Sequence, residues 1–329
     1  MLRAIFLLVM STVCAGAAEQ VLLVVFHATG EVGYYSLDGK LLSTVKVGRQ
    51  PREMAISGDG KFAYVTDSGE MGAADSTKGG NTISIIDIAA RKRAGTISTG
   101  KYRRVHGISV DERTGYLGVT AEAPDRILHI DPVRRRVIRH FDTKGRLSHM
   151  VTLPAGKSGA EFAFVSNSGM ETVSVVQLTT GQVKSIPVGE RPEGSVLSKD
   201  GQVLFVCNRD SANITVIDVG RQAAIGEIKT GKGPARIGIT PDGATLIYAL
   251  TQDGKIEFAD VAGRRATGQV AVDGQPVSLS ISADGQFAFA ALEEKDKVSV
   301  VSVSSRKLLR TFDTPKGSGP TAVALVNLP

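Results

Sequence analysis

The chain has 329 residues, a net charge of +6, no tryptophan and only 5% aromatic residues. So modest a basicity permits weak attraction to acidic polymers without requiring it, and the shortage of rings argues against nucleic-acid binding by base stacking. Of its two cysteines, Cys14 lies in a segment expected to be removed, so Cys207 is left alone and no internal disulfide can form in the mature chain.

In chain order, the first element is an export signal. Arg3 precedes an apolar run reaching Val13, too short to span a bilayer, and Ala15-Gly16-Ala17 supplies small residues for cleavage. Residues 1–17 are therefore the expected signal peptide, and 18–329 one domain. Lipidation of Cys14 is the alternative, disfavoured by Ser11-Thr12-Val13 before it. No later stretch is long and apolar enough for a membrane helix. The mature chain is expected to be a periplasmic or secreted monomer.

A repeat then runs to the C-terminus. Each copy has a Gly, often followed by Pro, then a short apolar strand, an Asp-Gly turn, a strongly apolar strand, an Asn- or Asp-bearing loop, a strand ending near Ile-Asp, and a last strand closing on Gly. The clearest copy spans Arg191 to Gly231. Closing glycines at 48, 100, 145, 189, 231 and 274 are 42 to 52 residues apart, the period of propeller blades. Alternation such as Thr82-Ile83-Ser84-Ile85-Ile86 supports strands throughout. Val21–Val25 begins at a second strand, and Pro320–Val326 reads as an orphan first strand. The two ends should pair and close an all-β, seven-bladed ring of four-stranded antiparallel blades. In the second blade, residues 69–81 form a long Gly-rich connection expected to overhang one face.

The second strands Tyr64-Val65-Thr66-Asp67, Phe164-Val165-Ser166-Asn167 and Phe205-Val206-Cys207-Asn208 resemble the YVTN-type β-propeller repeat family. The likeness covers essentially the whole mature chain. It implies the fold and is permissive for function, because similar propellers include extracellular binding proteins, lactone hydrolases, haem d1-associated proteins and a DNA-binding periplasmic protein.

Aligning the copies on Pro51, Pro192, Pro234, Pro276 and Pro320 puts Arg52, Glu53, Arg104, His149, Glu193, Arg236 and Ser278 at one mouth of the channel. His106 falls one residue deeper, on an offset that could turn it away from His149. Second-strand ends add His27, Asp67, Asn167, Asn208 and Arg209. Arginine forks in such a collar suit a carboxylate or phosphate. The expected ligand-binding set is Arg52, Glu53, Arg104, His149, Glu193, Arg236, Asn167 and Asn208.

No nucleophile elbow, zinc motif or phosphate loop is present. The leading expectation is thus an exported, non-catalytic binding or interaction propeller whose partner is a small anionic molecule or an envelope protein. The alternative is a lactonase-like hydrolase, with His149 or His106 as base, Arg104 or Arg236 stabilising the oxyanion, and Glu193 beside them. It predicts a close His–Arg–Glu cluster around an open pocket. No cofactor and no metal site are predicted. The sequence lacks a Cys-x-x-Cys-His haem attachment signal, while an axial His for a non-covalent haem, or a divalent metal, stays open. Arg91-Lys92-Arg93, Arg134-Arg135-Arg136, Arg264-Arg265 and Arg306-Lys307 form a basic rim on the opposite face.

Overall fold

A strand packed between two neighbouring blades has both faces buried, so it reads as an unbroken apolar run rather than as an alternation. Gln20–Phe26 is such a strand, buried at every residue after the first, and Val203–Asn208 and Phe287–Leu292 follow it. Outermost strands see solvent; Ala223–Lys229 buries a single residue, Ile228. The computed structural model describes residues 19–70 and 78–328. The expected signal segment, Cys14 included, lies outside the described residues.

Seven antiparallel sheets of four strands form the ring. Their innermost strands are Pro320–Asn327 in blade 1, Pro51–Ile56 in blade 2, Arg103–Val110 in blade 3, Ser148–Thr152 in blade 4, Pro192–Leu197 in blade 5, Pro234–Ile239 in blade 6 and Ser280–Ile281 in blade 7. Blade 1 is composite. Gln20–Phe26 pairs with Pro320–Asn327 along its length, and Leu328 N–H donates to the Glu19 carbonyl at 2.7 Å. The ring is closed by the two ends of the chain, as the repeat predicts.

The core lies between blades. Phe205, Cys207 and Val216 of blade 5 pack on Leu246 and Tyr248 of blade 6, while Phe289 and Val300 of blade 7 pack on Leu22 and Phe26 of blade 1. Cys207 is fully buried and its thiol pKa is pushed up by burial, which fits a packing role. The Asp-Gly turns are built alike. Asp59, Asp200 and Asp284 each accept from a serine hydroxyl two residues earlier, at 2.7, 2.6 and 2.6 Å, and from the backbone N–H two residues later.

Part of the basic rim also ties blades together. Arg135 donates to the Ala94 carbonyl of blade 2, Arg264 to Ile225 of blade 5 and Arg306 to Thr267 of blade 6, in each case the preceding blade's outer strand. In blade 2, pairing of the second and third strands reaches Gly69 and Gly79, so the connection is shorter than the expected 69–81 loop. Residues 71–77 of it lie outside the described residues.

Candidate active site at the channel mouth

The inner strands share one register. Pro51 pairs with Asp67, Ser148 with Asn167, Pro192 with Asn208 and Pro234 with Leu250; in blade 3 the matching pair is Val105 with Ala121. Arg52, His106, His149 and Glu193 are therefore equivalent, each one residue after the anchor. Glu53, Gly107, Gly194 and Arg236 come next. This corrects the proline-based alignment, which slips in blade 3, where Val105 stands in the place of Pro51, Pro192 and Pro234. Arg104 falls before the anchor, with φ 53°, and among the described residues is not one of those lining the mouth cavity.

His106 and His149, expected on diverging offsets, instead meet edge to face with ring centroids 3.9 Å apart. The cause is Gly107. A Cβ there would strike the His149 carbonyl oxygen and come within 2.8 Å of Met150 Cα, so only glycine lets blades 3 and 4 approach this closely. Gly194 does the same two seams further round, between blades 5 and 6, where a Cβ would lie 2.5 Å from the Ala235 carbonyl oxygen. It thereby brings Glu193 to Arg236.

The cavity at this mouth has a volume of about 600 Å³ and is lined by Arg52, Glu53, His106, Glu122, His149, Arg191, Glu193, Arg209 and Arg236 among others. Arg236 bridges two carboxylates, 2.5 Å from Glu53 and 3.2 Å from Glu193. Glu193 also meets Arg209 at 3.1 Å and Arg191 at 3.3 Å. Across the cavity, Glu122 Oε1 lies 3.3 Å from His106 Nδ1 and 3.6 Å from His149 Nδ1. The Nε donors of Arg52, Arg209 and Arg236 are buried and make no hydrogen bond among the described residues.

Charge placement sets the ionisation of this wall. Burial and the neighbouring His149 push His106 down to about 4, keeping it neutral near pH 7. Burial works to raise the carboxyls of Glu122 and Glu193, but the imidazoles beside Glu122 and the charges of His149, Arg236 and Arg209 around Glu193 outweigh it, and both sit at about 2. The sign for stability follows. A carboxyl depressed from 4.5 to about 2 contributes stability that is complete above the higher value and is lost as pH falls through the lower. Melting curves of wild type and Glu193→Gln should accordingly differ at neutral pH and converge as the pH is lowered across that interval.

Asn167 and Asn208, expected at the mouth, lie outside the cavity. Both are fully buried and bond inward: Asn167 donates to Thr172 and Ser174 at 3.1 and 2.8 Å, and Asn208 to Asn213 and Thr215, both at 2.8 Å. Asp67 is their counterpart in blade 2, accepting from Gly48 N–H at 2.8 Å and Thr82 at 2.7 Å. Ser278 accepts from Val323 N–H at 3.2 Å, and His27 Nδ1 lies 3.1 Å from the Pro51 carbonyl oxygen. Sequence reasoning missed Glu122. It follows the second-strand anchor as Ser168 and Arg209 do, but in blade 3 that anchor is Ala121, so the usual Asn or Asp flag is missing.

No family model matches the sequence, and no curated relative matches it. Solved structures do. A functionally unknown protein from Desulfotomaculum acetoxidans superposes with a TM-score of 0.76 at 12% identity, covering 94% of this chain and 99% of the other. The fold is that of the seven-bladed β-propellers. The periplasmic gluconolactonase of Pseudomonas aeruginosa gives 0.75 at 17% identity, over 94% and 99% of the two chains. A dihydro-haem d1 dehydrogenase gives 0.64 at 14%, over 90% of this propeller and 64% of its own chain. Among the described residues, no helix of this propeller is long and apolar enough to cross a membrane.

Proposed function

We propose that the channel mouth hydrolyses a small, hydroxyl-rich lactone of the sugar-acid class, in the periplasm or outside the cell. The observation that carries this reading is the meeting, in one open cavity, of two imidazoles beside one carboxylate, His106 hydrogen-bonded to Glu122 at 3.3 Å and His149 3.6 Å from it, and an arginine–glutamate lattice, Arg236 with Glu53 and Glu193. A hydrolase uses an imidazole with a carboxylate on its Nδ1 side to present the other nitrogen as base. The resemblance to a periplasmic gluconolactonase supports the same class.

In this reading, His149 takes a proton from water as the water oxygen adds to the lactone carbonyl carbon. Negative charge gathers on the carbonyl oxygen, where guanidinium donors stabilise it. The ring C–O bond then breaks, the leaving oxygen recovers the proton from His149, and the open hydroxy acid departs.

The test is acid release from gluconolactone and related lactones by the purified protein, together with melting temperature. We expect turnover, a raised melting temperature with bound product, and a fall in kcat of about a hundredfold or more for His149→Ala. A melting shift without turnover of any lactone would overturn catalysis and leave a binding site for the anionic acid.

A further inference from the structure

His149 is read above as the base, beside Glu122, yet together with His106 these groups also satisfy a different chemistry. Each offers one ligand atom, and the three atoms lie within 4.8 Å of one another. We propose that these residues form a binding site for one divalent transition-metal ion, of which Zn²⁺ fits best.

Two imidazoles and one carboxylate are a donor set that borderline-soft cations prefer, whereas Ca²⁺ and Mg²⁺ require a cage of oxygens. The spacing agrees. Metal–ligand bonds of about 2.0–2.2 Å in a tetrahedron place neighbouring ligand atoms about 3.3–3.6 Å apart. Glu122 Oε1 stands 3.3 Å from His106 Nδ1 and 3.6 Å from His149 Nδ1. A cation between them takes the place of the hydrogen-bond proton, and neutral His106 then carries its one ring proton on Nε2.

Around the donors stands a ready supporting shell. Glu53 Oε1 is 3.9 Å from His106 Nε2, the nitrogen opposite the proposed bond, and Arg236 holds that same carboxylate oxygen. A carboxylate behind a liganding histidine fixes the ring and raises its basicity. The backbone is fixed as well: the His106 carbonyl accepts from Thr66 at 2.8 Å and the His149 carbonyl from Thr120 at 2.6 Å. All three donors line the mouth cavity, so a fourth coordination position opens onto it. Such an open position marks catalytic rather than structural zinc. The inference shares its cavity with the lactone reading but does not require it. A cation seated there would activate water by lowering its pKa, in place of proton transfer to His149.

The experiment is titration of the chelator-treated full chain with Zn²⁺ alone, followed by calorimetry and by competition with a zinc-sensitive dye. We expect one ion per chain, with affinity weakened at least tenfold in each of His106→Ala, Glu122→Gln and His149→Ala. Co²⁺ bound to the wild type should show the visible absorption of a low-coordinate site with nitrogen ligands, a readout that needs no variant to fold. Absence of saturable binding, or an octahedral cobalt spectrum, overturns the site. Lactone turnover assayed with and without chelator separates the two readings. Activity that persists in chelator while Zn²⁺ fails to bind removes the metal and keeps the hydrolase; stoichiometric Zn²⁺ binding without any turnover does the reverse.

Discussion

Replacing Arg236 by alanine is expected to destabilise the propeller by about 3–5 kcal/mol, the cost of stranding buried charge that has lost its partner. Among the described residues Arg236 is the one cation touching both Glu53 and Glu193, and Glu193 is nearly inaccessible to solvent. A domain of ordinary stability has about 5–15 kcal/mol in all, so the variant should unfold at a much lower denaturant concentration and be poorly expressed. The comparison that isolates the cause is Arg236→Met combined with Glu53→Gln, since Glu193 keeps Arg191 and Arg209. Removing both charges together should recover much of the loss, because the penalty lies in the uncompensated Glu53 carboxylate. If lactone turnover is established, a folded fraction of Arg236→Ala should also be slower by roughly 10²–10³-fold, since the guanidinium and the carboxylates it positions both face the reacting groups.

Gly107→Ala should act without removing a single polar atom from the site. The added methyl group meets backbone of blade 4, which cannot swing aside as a flexible side chain would, so blades 3 and 4 must separate. Overpacking of this kind costs about 1–3 kcal/mol. The more telling effect is geometric: His149 should be pulled away from Glu122 and His106, with loss of both Zn²⁺ binding and turnover while the fold survives. Gly58→Ala is the matched control, since its methyl would lie 3.6 Å from the nearest atom, the Glu112 carbonyl oxygen. Crystallography or calorimetry of the two variants checks the distinction. Normal Zn²⁺ affinity in Gly107→Ala would show that the seam does not set the spacing of the histidines.

The blade count, the composite first blade and the turn chemistry were legible because each rests on local pattern: apolar runs, Asp-Gly turns and a recurring glycine. Much of the mouth was legible too, since Arg52, Glu53, His149, Glu193 and Arg236 all stand beside a proline or an equivalent anchor. What escaped was whatever depended on blade 3, where Val105 and Ala121 replace both anchors. The register slipped there, Arg104 took the place belonging to His106, and Glu122 went unnoticed. Asn167 and Asn208 failed for another reason. A polar residue at a strand end can face the channel or bond within its own hairpin, and Ser174 and Thr215 on the paired strands decide for the hairpin.

The composite blade bears on how the molecule comes to exist. Strand Gln20–Phe26 finds its inner neighbour some three hundred residues later, and no earlier segment supplies it. An incompletely made chain is thus an open arc with two unsatisfied sheet edges, a form prone to pair with other chains. The whole polypeptide must be present before the ring can lock, and such distant pairing is intrinsically slow to form. His149 and its neighbours gain a closed channel mouth around them only at that last step.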